Sequence, residues 1–139
     1  MVDAGQLSAA KAVVRDVFGI DLPTDAADGE PPSAADFRAA MVVQAFGGSW
    51  SRDAIDDKTR SMLTVAIVAT LGADRELRSH VGGALGLGVT PEQIVDIMIH
   101  VGAYAGAPRA SAAFSVASEV MAKAARRAGR EKTTNDPTS

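Results

Sequence analysis

Apolar residues along this chain recur at the three-to-four residue spacing of helices, and no segment alternates convincingly as a strand. Residues 7–18 form a first helix. Ser33, with Asp36 in the first turn behind it, is placed to cap a second helix running to Gly47 and Gly48, and Asp56 to cap a third that stops at Gly72. A fourth spans about 74–86, with Gly88 closing the turn after it. Thr90-Pro91-Glu92-Gln93 is the strongest start signal, because threonine caps, proline fits the first helical position and Gln93 completes a capping box. The helix it opens runs to Gly106, and Pro108 separates it from an alanine-rich sixth helix ending near Ala128. The expectation is an all-α chain of about six helices.

Two stretches read as irregular. Residues 22–32, LPTDAADGEPP, combine prolines, glycine and acids, and residues 126–139 are polar with no apolar period. The expected organisation is an N-terminal helix and linker over 1–32, a helical domain over 33–125 and a mobile tail over 126–139. The helix over 56–71 stands apart: Met62, Leu63, Val65, Ala66, Ile67, Val68, Ala69 and Leu71 leave almost no polar face. Burial on most of its sides is expected, and a domain this small needs another subunit to supply part of the cover.

Composition narrows the function classes. The chain has 139 residues, 47% of them hydrophobic, which suits one domain with its own core. Seventeen acids against fourteen bases give a net charge of -3, so no basic field exists to attract nucleic acid or an anionic membrane. The most apolar window, 62–71, is about half of the roughly 20 residues a membrane span requires. Zero cysteines exclude disulfides, thiolate nucleophiles and thiolate metal sites, and the chain starts without a basic-then-apolar leader pattern. A cytoplasmic location is expected.

Candidate chemistry lies where polar residues interrupt apolar helices. At about 100° per residue, Asp96, His100 and Tyr104 form one narrow stripe on the helix after Pro91, with apolar faces on either side. The stripe is expected to wall an enclosed polar pocket, although a satisfied structural histidine fits the same pattern. Glu76 and His80 are four apart on the preceding helix, where the carboxylate can orient the imidazole, raise its pKa and make it a general acid or base near neutral pH. Arg60 opens the most apolar helix and needs an anion, either a carboxylate of the chain or one on a substrate. Trp50, the only tryptophan, is a core anchor or a pocket lid. Gly82-Gly83 inside a helix imply close helix contact or ligand approach. Two histidines with scattered acids support no metal site, and no phosphate-cradling glycine loop or nucleophilic serine elbow is present.

From about Phe46 to Met121 an ordered series of these motifs resembles the γ-carboxymuconolactone decarboxylases. It runs through Trp50-Ser51-Arg52, Thr59-Arg60-Ser61, Leu71-Gly72, Glu76-Leu77 with His80, Gly88-Val89-Thr90, Ile94 to His100, and Tyr104-Ala105-Gly106 with Pro108. The wider alkylhydroperoxidase-D-like superfamily is similar but carries a Cys-x-x-Cys pair four residues before its histidine. His80 matches that histidine while Ala73 and Glu76 stand at the cysteine places, so thiol peroxidase chemistry lacks its nucleophile. The chain departs from the decarboxylase pattern at Gly48, at Gly86-Leu87 and at Asp96.

The resemblance implies an alkylhydroperoxidase-D-like helical fold, a trimeric or hexameric homo-oligomer, and a cofactor-free decarboxylase of aromatic catabolism acting on a carboxylated lactone or similar small carboxylate. It assigns His80, Glu76 and His100 to catalysis, and Arg60, Tyr104, Trp50 and Asp96 to substrate binding, with no metal, nucleic acid or membrane involved. A cofactor-free isomerase or cyclase on the same scaffold, or a non-catalytic binding or assembly protein, are the alternatives.

Overall fold

The computed structural model describes residues 2–134, and among them the chain is all-helical. Six α-helices follow in order: α1 (Ala4–Phe18), α2 (Ser33–Val42), α3 (Asp57–Leu71), α4 (Asp74–Gly86), α5 (Pro91–Ala105) and α6 (Ala107–Thr134). A π-helix, π1 (Val43–Trp50), continues α2 directly. Among the described residues no helix is long and apolar enough to cross a membrane. The contacts divide the chain into two compact units, Met1–Asp57 and Lys58–Ser139.

In the first unit, Asp3 caps α1 by accepting the Gln6 amide at 3.1 Å, and left-handed Gly19 ends it by donating to the Arg15 carbonyl at 2.8 Å. Ala10 and Val14 form the buried face of α1. Phe18 meets Trp50 edge-on at 4.9 Å and Phe46 at 6.1 Å, so the wide turns of π1 deliver two aromatic rings to the end of α1. Ser33 does not cap α2. Pro32 occupies that position already in helical geometry, with no side-chain cap, and the Ala34 and Ala35 amides bond to the Pro31 and Pro32 carbonyls, so helical bonding starts one residue early. The segment before α2 has no regular structure and is tied down by Arg38, which binds the Glu30 carboxylate at 2.6 Å and holds its pKa down to about 2.

The second unit has the main core. Val65 and Ala69 from α3, Leu77, Val81 and Ala84 from α4, Ile94, Met98 and Val101 from α5, and Ala113, Val116 and Ala117 from α6 form one buried cluster, each helix using residues three or four apart. The capping box at Thr90 and Gln93 is present in both directions, at 3.0 and 3.2 Å. Gly72 has φ +71° between α3 and α4, and the end of the Arg109 side chain lies 2.6 Å from where a Cβ would stand. Arg109 then reaches Asp74 at 3.4 Å, and Arg78 pairs with Glu119 at 2.5 Å, so α4 and α6 are linked at two exposed points. A Cβ added at Gly82 would meet Val120 only at an ordinary 4.0 Å, whereas one added at Gly102 would stand 3.3 Å from the Ala110 methyl, so the tighter approach is between α5 and α6.

Within the single chain α3 has one face covered. Only Ser61, Val65 and Ala69 are buried, while Leu63, Ile67 and Leu71 are 48%, 58% and 74% exposed. A helix packed in a small unit has one face covered, whatever its other residues are. Thr64 and Thr70 are tolerated among them because their hydroxyls donate to the carbonyls of Arg60 and Ala66, each at 2.9 Å. The last helix differs from its expectation: it passes Ala128 and continues to Thr134, because Arg126, Arg127, Arg130, Glu131 and Lys132 are good helix formers and no proline intervenes. That places 126–134 of the expected tail in a helix; 135–139 lie outside the described residues.

The hydroxyl of Ser61 is fully buried and has no hydrogen-bond partner. A desolvated, unsatisfied hydroxyl costs stability that a methyl group does not. Ser61→Ala is therefore expected to hold or raise the melting temperature, and a fall of several degrees in thermal unfolding would show that the hydroxyl has a partner in solution.

Candidate active site

α4 and α5 carry the titratable candidates. α4 is fixed by Leu77, Val81 and Ala84 in the core, which turns Glu76 and His80 onto one flank and Arg78 onto the other, toward Glu119 of α6. Glu76 is exposed and His80 half-buried. Burial pushes the His80 imidazole below its ordinary value, and the Glu76 carboxylate draws it only part of the way back. The net direction is opposite to the rise expected from the pair alone, because the sequence spacing reveals the carboxylate and not the loss of water.

This gives a direct titration test. His80 is expected to titrate below about 6.5, and Glu76→Gln should lower it further by removing the opposing charge. Because the folded-state pKa is depressed, the stability linked to this group is full above about pH 6.5 and is lost as pH falls through the folded value. Ring-proton NMR across pH 4–8 reads the midpoint, and a value above 7 would contradict the assigned environment.

On α5, Ile94, Met98 and Val101 turn inward, and Asp96, His100 and Tyr104 share the opposite side as the spacing requires. His100 and Tyr104 stack with ring centroids 4.7 Å apart and planes tilted by 47°. The expected enclosure is absent from the single chain. All three are exposed, Tyr104 by 83%, because the buried arc of α5 is centred on Met98 and Ile94 and stops short of the stripe.

The structure thus brings together Glu76 with His80 and His100 with Tyr104. Arg60 is half-buried near the start of α3. Trp50 belongs to the first unit, where it is 7% exposed with Phe18 and Phe46 against it, a packing environment that takes the core reading over the pocket lid. Among the described residues no three His, Asp or Glu side chains gather as a metal site requires.

Two clefts avoid these residues altogether. One, about 380 Å³, is an apolar groove between α5 and α6, and the other is lined by Arg78, Glu119, Lys123 and Arg126. Spacing marks Val95 and Ile99 as a second apolar face of α5, joined by Gly102 at i+7, but does not show that the face borders an open groove.

The model of the carboxymuconolactone decarboxylase family matches residues 35–119. A 4-carboxymuconolactone decarboxylase of Acinetobacter baylyi is 36% identical over 86 residues, 62% of this chain and 64% of the relative, so the match spans somewhat less than two thirds of that protein. A nitrosuccinic acid decarboxylase of Metarhizium robertsii is 29% identical over 109 residues, covering 78% of this chain and 76% of that one.

Proposed function

The chain belongs to the carboxymuconolactone decarboxylase family, and from that premise we propose that it is a cofactor-free carboxy-lyase acting on a carboxylated lactone or a similar small carboxylate. Two relatives named as decarboxylases, with different acids in their names, support the class of reaction. The observation that carries the reading onto this chain is His80, partly withdrawn from water one helical turn from Glu76. A perturbed histidine beside a carboxylate is what delivery of a proton near neutral pH needs.

In the proposed reaction Arg60 holds a substrate carboxylate through its planar fork. The bond to the departing carboxylate breaks, CO₂ leaves, and the electron pair passes through the ring alkene into the lactone carbonyl. His100 and Tyr104 stabilise the resulting dienolate oxygen by hydrogen bonding, with Asp96 beside them on the same stripe. His80 then donates its proton to carbon and recovers one from water. Its lowered pKa makes the imidazolium the stronger acid, and kcat/KM is expected to climb as pH falls from 8 and to level off below the His80 midpoint.

The exposed apolar face of α3 supports a homo-oligomer; the trimeric or hexameric state, the cytoplasmic setting and a small molecule rather than nucleic acid or membrane as ligand are proposed with it from the family and the composition. Turnover of 4-carboxymuconolactone in D₂O tests the mechanism: the product should carry one solvent deuterium on carbon for each CO₂ lost. A deuterated product that keeps its carboxylate would identify an isomerase instead.

A further inference from the structure

The charge of this chain is not evenly spread. α6 carries six of the fourteen bases against two of the seventeen acids, so a molecule with a net charge of -3 holds a helix of strongly positive sign. Beyond Met121 that helix buries little: Lys123, Arg126, Arg127 and Arg130 are all exposed. With a screening length of about 8 Å at physiological salt, a small ligand feels the charges near it and not the sum over the chain.

The cleft between α4 and α6 lies where this charge meets the fold. It has a volume of about 610 Å³ and is lined by Arg78, Glu119, Val120, Ala122, Lys123 and Arg126, three cations against one carboxylate. Glu119 stands four residues before Lys123, the favourable order for a pair within one helix. Its carboxylate goes instead to Arg78 of α4, at 2.5 Å. Among the described residues Lys123 and Arg126 have no carboxylate partner, so the cleft keeps two unanswered positive charges.

Those two charges define the ligand. Residues three apart on a helix have Cβ atoms about 5–6 Å from each other, and the long stems of Lys123 and Arg126 let their charged ends adjust around that spacing. A guanidinium fork takes one carboxylate or phosphate through two parallel hydrogen bonds, and an ammonium takes a second as a point charge. Val120 and Ala122 supply an apolar strip beside them. A nucleic acid draws its affinity from many more phosphate contacts than two unanswered cations offer.

We infer that this cleft binds a small molecule carrying two anionic groups a few ångströms apart. Arg78 and His80 lie on opposite flanks of α4, so the site is separate from the proposed reaction and its occupancy is read without turnover.

Calorimetric titration of the full chain at constant ionic strength tests this, with pyrophosphate, succinate and acetate as probes. Pyrophosphate or succinate should bind saturably, with a dissociation constant on the order of 1 mM or below, and acetate, with its single charge, should not. The tighter of the first two shows whether phosphate or carboxylate is the preferred group. Lys123→Ala and Arg126→Ala should each weaken binding about three- to tenfold. Lys132→Ala removes the same charge from the last turn of the same helix, outside the cleft, and should leave binding unchanged. Glu119→Gln should tighten it, because an opposing charge is removed and Arg78 is released to the ligand. Equal weakening by all three alanine variants would mean diffuse attraction and overturn the site, as would acetate binding as tightly as the longer probes, or no saturation by any of them. The four substituted side chains are exposed, so the core is left intact. The parent chain gives an independent reading: pyrophosphate or succinate should shift the amide NMR signals of Arg78 and of residues 119–126, and shifts of equal size along the whole of α6 would contradict the cleft.

Discussion

Replacing His80 with alanine is expected to cut turnover roughly 10²–10⁴-fold, the range that general acid catalysis supplies, while leaving thermal stability within a few degrees. The two effects separate for a physical reason. His80 is only half-buried, and its desolvation already works against the charged imidazole, so the native state gives up little packing when the ring goes. The proposed reaction, by contrast, would lose its proton donor. His80→Gln, which restores polarity and bulk without an ionisable proton, should recover stability and not rate. A structural histidine would give the reverse pattern, with a large fall in melting temperature and a nearly intact rate per folded molecule.

The largest loss of stability is expected at Leu77. It is fully buried among Val65, Ile94 and Val116 in the core of the second unit, and Leu77→Ala should cost about 2–5 kcal/mol through lost transfer energy and the cavity left behind. For a chain of this size that is a fall on the order of 10 °C in melting temperature. Leu71→Ala removes the same atoms from a residue 74% exposed, so its effect within one chain is expected to be small, and any larger effect should depend on protein concentration. Measuring both by thermal unfolding over a range of protein concentration separates the two. A Leu71→Ala effect as large as that of Leu77→Ala and independent of concentration would place Leu71 inside the fold.

Helix placement was legible wherever the backbone's end groups are satisfied locally. Thr90 and Gln93 announce α5 because their side chains answer amides three residues away, and Gly72 and Gly88 mark chain reversals because each adopts a positive φ. π1 was not legible: its wide turns leave no period that a few residues distinguish from an α-helix, and only the backbone of Val43–Trp50 shows them. Periodicity also groups residues on a face without saying whether the face is covered. Asp96, His100 and Tyr104 do share a side of α5, yet that side is open, and the apolar surplus of α3 became an exposed ridge. At the candidate site, spacing gave the Glu76–His80 pair and missed the burial that sets the direction of its pKa.

The proposed chemistry turns on loss of CO₂ driven by the chain's own residues. The most direct measurement follows CO₂ release and substrate consumption together, with 4-carboxymuconolactone and nitrosuccinate as substrates, using chelator-treated protein and its His80→Ala variant. The expected result is one CO₂ per molecule of at least one substrate consumed, undiminished by the chelator and reduced at least a hundredfold in the variant. Equal rates from both proteins, or substrate consumed without CO₂, would contradict it.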